Sequence, residues 1–259
     1  MTAAPANEFS LFLLRLQWAP EWCCRSQQPY CASPGLGGGT GNRLLIHGLW
    51  PQRDDIAGNR TAQGVNGELL TSLYWPQYCG DFSVCCEQQP GGRCRDSASE
   101  FCQLPAASTA AGVSSLDLEA LARDMPDYAN QPAPDAGVFR LGDHEWMKHG
   151  SCTAMEPQEY LGAALATLAT LRQQAPAAEQ LLSAAAGLAP ALTVRHLQQA
   201  FGDVTTARSP LQNSRFTALA CSTEGRLVAV SSCWERLPNG RVGSRVACPD
   251  NVLRERYSN

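Results

Sequence analysis

Apolar residues run together near the two ends of the chain and fall at helical spacing in between. Phe9 to Trp18 is apolar except at Ser10, Arg15 and Gln17. It reads as a buried strand that ends at Pro20. The segment from there to Asn42 holds three cysteines and the run Gly37-Gly38-Gly39, and reads as a stapled loop. Arg43 to His47 predicts a second, short strand. Gly48 and Pro51 should end it, which would leave His47 at a strand terminus, where a side chain can face a cleft.

The middle of the chain predicts helices. Leu118, Leu121 and Ala122 make an apolar stripe between Leu116 and Met125, with Ser115 to cap it and Pro126 to stop it. Glu156-Pro157 opens a longer helix, because proline fits the first helical position. Leu161, Leu165, Leu168 and Leu171 mark its buried face. An alanine-rich helix follows from Ala177 to Ala186. Thr193 caps another that ends at Phe201-Gly202, with the glycine just past the end. His196 on that helix reads as a half-buried structural histidine. The last third returns to strands. Phe216 to Cys221 and Arg226 to Cys233 are joined by a turn at Ser222-Thr223-Glu224-Gly225, and Arg241 to Cys248 follows.

Strands at both ends, helices between and no regular βαβ alternation predict an α+β fold. Its centre is a largely antiparallel sheet with packed helices. No repeat or sharp composition break divides the chain, so residues 1–259 are expected to form a single domain. A cysteine-rich insertion is expected around 53–112.

Composition adds a compartment and removes some functions. The chain carries twelve cysteines, an even number that permits complete pairing. Cys-x-x-Cys is absent, and the adjacent pairs Cys23-Cys24 and Cys85-Cys86 suit loop stapling better than tetrahedral zinc ligation. Disulfide-rich loops and an oxidising compartment are therefore expected. The N-terminal residues lack a basic region followed by an apolar run, so a natural export signal is expected to have been removed. No run approaches the roughly 20 apolar residues of a membrane span. The net charge of −4 excludes nucleic-acid binding by bulk charge, so any such binding must come from a local patch.

Two stretches hold the candidate chemistry. One is Leu45-Ile46-His47-Gly48-Leu49-Trp50-Pro51. The other is His144-Glu145-Trp146-Met147-Lys148-His149-Gly150-Ser151-Cys152. On a helix each residue turns about 100°. Glu145 and His149, four apart, then share a face, and so do His144 and Lys148. His144 and His149 are five apart, roughly 140° around the axis, which misses the His-Glu-x-x-His spacing of a zinc protease helix. No metal is expected. Two histidines with a lysine suit proton transfer at a phosphodiester, one taking a proton and one giving it, while the lysine stabilises charge on phosphoryl oxygens. An amphipathic surface helix with ion pairs would carry the same residues.

These two stretches resemble, in content, order and separation, the two signature segments of the ribonuclease T2 family of secreted acid ribonucleases. Gln17-Trp18 and Tyr160 add softer agreement, and residues 53 to 112 depart from compact members. The resemblance implies metal-free, cofactor-free endonucleolytic cleavage of single-stranded RNA. A 2′,3′-cyclic phosphate forms first and is hydrolysed more slowly to a 3′-phosphate. It implies His149 as base and His47 as acid in the first step, and Glu145 and Lys148 at the transition state. It also implies His144 as a phosphate ligand and Trp50 as a base-stacking residue. It implies a bridge between Cys233 and Cys248, and makes Cys79 a candidate partner for Cys152. The expected setting is secreted, periplasmic or vacuolar. The chain should be a monomer whose partners are RNA and, as a candidate, a proteinaceous inhibitor. The rival reading is a secreted protein that kept the fold and binds RNA or a partner without cleaving.

Overall fold

The computed structural model describes residues 9–26, 42–53, 76, 79, 86–88, 94–96, 118–125, 145–146, 148–185, 193–203 and 215–253. Its centre is a five-stranded antiparallel sheet. The strands are β1 (Leu11–Trp18), β2 (Leu44–Gln52), β5 (Thr217–Cys221), β6 (Leu227–Arg236) and β7 (Val242–Val246). The order is β2-β1-β6-β5, and β7 pairs with the far end of β6. The short strands β3 (Cys86–Gln88) and β4 (Cys94–Asp96) form a separate hairpin. They fall in the stretch expected to be an insertion, most of which lies outside the described residues.

β1 explains the layering. Its alternate residues Phe12, Leu14, Leu16 and Trp18 enter the main core. Against them pack Leu161, Leu168 and Leu171 of helix α3 (Pro157–Gln174). Burying a leucine contributes about 1.5–3 kcal/mol, so this face holds the helix to the sheet. Helix α2 (Leu118–Asp124) adds Leu121, and α4 (Pro176–Ala185) adds Ala178 and Leu182. Helix α5 (Val194–Ala200) adds Leu197. The opposite face of β1 starts apolar, with Leu11 and Leu13 packed beside Cys233, Cys248 and Val252 of helix α6 (Asp250–Leu253). It then turns polar: Arg15 and Gln17 are buried there. This polar end of a buried face lies next to the functional side chains.

Helix starts follow local chemistry. Glu156 caps α3 and, with Glu159, forms a reciprocal capping box ahead of Pro157. Thr193 caps α5 by accepting the N–H of His196.

Three expectations need correction. β2 does not end at Gly48 but runs on to Gln52. Among the described residues it pairs only with β1 and is an edge strand, where proline costs no ladder bond. The segment after β1 opens directly into helix α1 (Ala19–Ser26), with Pro20 in its first turn rather than as a plain stop. His196 is exposed, not half-buried.

Candidate active site

The site is built by a fault in β2. Arg15 pairs with Gly48 and Leu16 with Ile46, so His47 is the extra residue of a β-bulge. A regular strand alternates faces with period two, so residues three apart point opposite ways. The bulge shifts that phase. Ile46 and Leu49 both enter the main core, while Trp50, three residues after His47, packs against the other cluster. His47 and Trp50 are thereby brought together, ring centroids 5.4 Å apart and edge to face. Bulges commonly re-aim a side chain in this way.

The second component is a short helical turn from Glu145. The His149 N–H donates to the Glu145 carbonyl at 2.9 Å, so the two side chains do sit one turn apart. A 3-10 turn at Gly150–Cys152 follows. Cys152 is bonded to Cys79, and the Cys79 N–H donates to Ser151 Oγ at 3.2 Å. Trp146 and Tyr160 leave no room for a side chain at Gly150: an added Cβ would lie 2.6 Å from Trp146 Cδ1 and 3.1 Å from Tyr160 Cγ.

Glu145 joins the two components. It is 1% exposed. One carboxylate oxygen is 3.2 Å from His47 Nε2. The other accepts the Trp50 Nε1–H at 2.5 Å. Gly48 makes this approach possible, since a Cβ there would fall 2.0 Å from Glu145 Oε2. His149 stacks on Trp50 with ring centroids 4.9 Å apart and planes at 27°. His149 is buried, whereas the side chain of His47 is 27% exposed. Lys148 is half-buried on the same turn as Glu145. His144 lies outside the described residues.

Around this centre sit residues that sequence reasoning gave no role. The Gln17 Nε2–H donates to His47 Nδ1. Arg15 donates to Ser231 Oγ at 2.7 Å and places its guanidinium 5.9 Å from the Trp50 ring centre. The buried Tyr160 hydroxyl accepts the Leu49 N–H at 3.2 Å, tying α3 to β2 beside Gly48. Burial first, and the nearby Glu145 charge second, hold the Tyr160 phenol well above its ordinary value, so it stays protonated. The sequence alone does not show these contacts, which depend on the register of β2 against β1.

Chemically, the arrangement offers two imidazoles against one indole, one edge to face and one stacked. A buried carboxylate orients the first, and a lysine stands one residue before the second.

Cys233 is bonded to Cys248, joining β6 to the segment after β7. Cys23 is also disulfide-bonded, and Cys221 is a free thiol. Among the described residues no helix is long and apolar enough to cross a membrane.

A family model described as the ribonuclease T2 family matches residues 9–215. An intracellular ribonuclease LX from Solanum lycopersicum is 25% identical over 160 residues, 62% of this chain and 48% of that protein. The chain thus spans about half the length of that relative. Among solved structures, the T2 ribonuclease actibind is 16% identical, with a TM-score of 0.51. That match covers 100% of this chain and 89% of actibind. It supports the α+β fold. RNase NT, solved in complex with 5′-AMP, is 22% identical with a TM-score of 0.47, covering 94% of this chain and 99% of that one.

Proposed function

The chain belongs to the ribonuclease T2 family, and from that premise we propose that it is an endoribonuclease acting on single-stranded RNA. The observation that carries this reading is the meeting of His47, Glu145 and His149 around Trp50, from strand and turn segments about a hundred residues apart.

In the proposed first step, His149 takes the proton of the 2′-hydroxyl, which attacks the adjacent phosphorus. His47 gives a proton to the departing 5′-oxygen. A 2′,3′-cyclic phosphate and a 5′-hydroxyl end result. Each well-placed proton transfer contributes about 10²–10⁴-fold. Lys148 faces the charge that builds on the phosphoryl oxygens, where a cation acts more strongly than in water. Glu145 holds the His47 ring in place through the contact at Nε2. His144 binds phosphate in this scheme. In the slower second step the roles of the imidazoles reverse, and water opens the ring to a 3′-phosphate. Both proton transfers are covered by side chains, so the scheme needs no metal or cofactor.

Trp50 has two parts in this reading. One face lies against His149, and its N–H is held by Glu145. A base stacks on what the ring still exposes. Aromatic stacking is indifferent to net charge, which lets an acidic protein hold RNA. The oxidising environment in which disulfides persist supports a secreted or vacuolar setting.

The test is a dinucleotide digest in excess chelator, with products separated by mass. The expected result is a 2′,3′-cyclic phosphate that later becomes a 3′-phosphate, and no cleavage of the deoxy analogue. Cleavage lost with chelator, or 5′-phosphate products, would rule the scheme out.

A further inference from the structure

His47 has both ring nitrogens engaged. Nε2 faces Glu145 Oε1 at 3.2 Å, and Nδ1 takes the side-chain amide of Gln17. Gln17 is itself buried, 4% exposed, on the polar end of β1. Its opposite residue in the ladder is Leu45, and His47, two residues on from Leu45, is its diagonal neighbour. The glutamine is therefore held at the ring by the sheet.

A neutral imidazole has one donor and one acceptor nitrogen, whereas an imidazolium has two donors. With the amide N–H donating to Nδ1, the proton of neutral His47 sits on Nε2, toward Glu145. When His47 is protonated, Nδ1 carries a hydrogen and needs an acceptor. Once Nε2 has given its proton away, Nδ1 still carries that hydrogen. A carboxylate in place of Gln17 could only accept, and a lysine could only donate. An amide does either, because half a turn of its terminal group exchanges Nε2 for Oε1.

We propose that Gln17 is a positioning residue for His47. Its amide donates to Nδ1 when that nitrogen is bare and turns to accept from it when it carries a hydrogen. The ring then keeps one orientation through a cycle in which its proton comes and goes. This inference rests on the ribonuclease reading for its catalytic consequence, but not for the amide turn itself.

The other groups around the ring are Glu145 at Nε2, Lys148 on the same turn, His149 stacked on Trp50, and Arg15 two residues back on β1. None of them changes in the variant below, so its difference from the wild type reports on Gln17.

The experiment is a pH titration followed by nitrogen and proton NMR. In the wild-type protein the Gln17 side-chain amide, assigned by its loss in Gln17→Met, should shift with the same midpoint as the His47 ring. A Gln17 amide that stays fixed while His47 titrates overturns the proposal. Gln17→Met removes the amide and adds no charge. Its kcat on RNA should fall about tenfold or more, with KM within about twofold, the signature of a group that matters in the transition state. A raised KM with unchanged kcat would make Gln17 a substrate contact instead, and overturn the proposal. The titrations use no RNA, so they decide the amide turn even where the ribonuclease reading itself fails.

Discussion

The two components of the site are made differently. His47 and Trp50 are aimed by β2, whose geometry is set by a strand on its flank, a bulge and a glycine. Glu145 and His149 are aimed by one helical turn, whose geometry follows from the i, i+4 spacing alone. The strand component depends on residues far away in sequence, such as Gln17, Arg15 and Tyr160. The turn component is local, and its long-range tie is the bridge from Cys152 to Cys79. Glu145 is where they meet. One component is thus held by the fold and the other is held to it, and each should fail in its own way.

The largest expected effect treats the two alike. His47→Ala and His149→Ala should each lower kcat about 10²–10⁴-fold, with the fold intact by circular dichroism. The pH–rate profile of the wild type should be bell-shaped, since one ring must be neutral and the other protonated. A single rising limb, or one alanine variant at near wild-type rate, would break the symmetry between the components.

How much of this was legible in the sequence follows from the same contrast. The strands β1, β5 and β6 and the helices α3 to α5 were readable, because hydrophobic period and caps are local signals. The Glu145–His149 turn was readable for the same reason. The course of β2 was not. Gly48 and Pro51 look like terminators, and only the pairing with β1 makes them part of an edge strand. The bulge at His47 was hidden, because register is a property of two strands. Gln17 and Arg15 read as interruptions of an apolar run. Their polar contacts exist only because β1 brings them beside β2 and β6.

Gly48→Ala should sharpen the difference. Its Cβ would fall 2.0 Å from Glu145 Oε2 and 2.5 Å from Trp50 Nε1, so Glu145 must leave one or both partners. Overfilling a packed site costs about 1–3 kcal/mol. A displacement near 1 Å at a catalytic group can cost about 10²-fold in rate. The expected outcome is a hundredfold loss of kcat with a modest fall in Tm. Full activity in this variant would show that Glu145 need not touch the strand.

The bridges test the turn component. Loop-closure entropy gives about 4 kcal/mol for the separation of 73 between Cys79 and Cys152, and about 3 kcal/mol for the 15 between Cys233 and Cys248. Replacing either pair by serine should lower stability, measured by urea unfolding, by roughly 2–5 kcal/mol. The two should differ in activity at a temperature where both variants are folded. Losing Cys79–Cys152 should reduce kcat several-fold, because it frees the turn that carries His149. Losing Cys233–Cys248 should leave kcat within about twofold. Equal activity losses would mean that the bridge at Cys152 has no special part in placing the turn.

The smallest expected effect lies away from both components and separates stability from catalysis. Asp203 follows α5, is buried, and accepts the Phe216 N–H at 2.9 Å. Burial pushes its carboxyl up to about 6, although that N–H and the charges of Arg245 and Arg215 pull the other way. A carboxyl that holds its proton more tightly when folded stabilises the fold while protonated. Its contribution is complete below the unfolded value near 3.8 and is lost as the pH rises through about 6. The wild type should therefore lose a few °C of Tm, on the order of 2–6 °C, between pH 4 and 7 that Asp203→Asn does not lose. Asparagine keeps an acceptor for Phe216 and cannot titrate. The pH–rate profile should be the same in both proteins, because Asp203 touches neither imidazole. If Asp203→Asn moved that profile, the limb that falls at higher pH would belong to the stability of the sheet's far edge and not to the proton balance of His47 and His149.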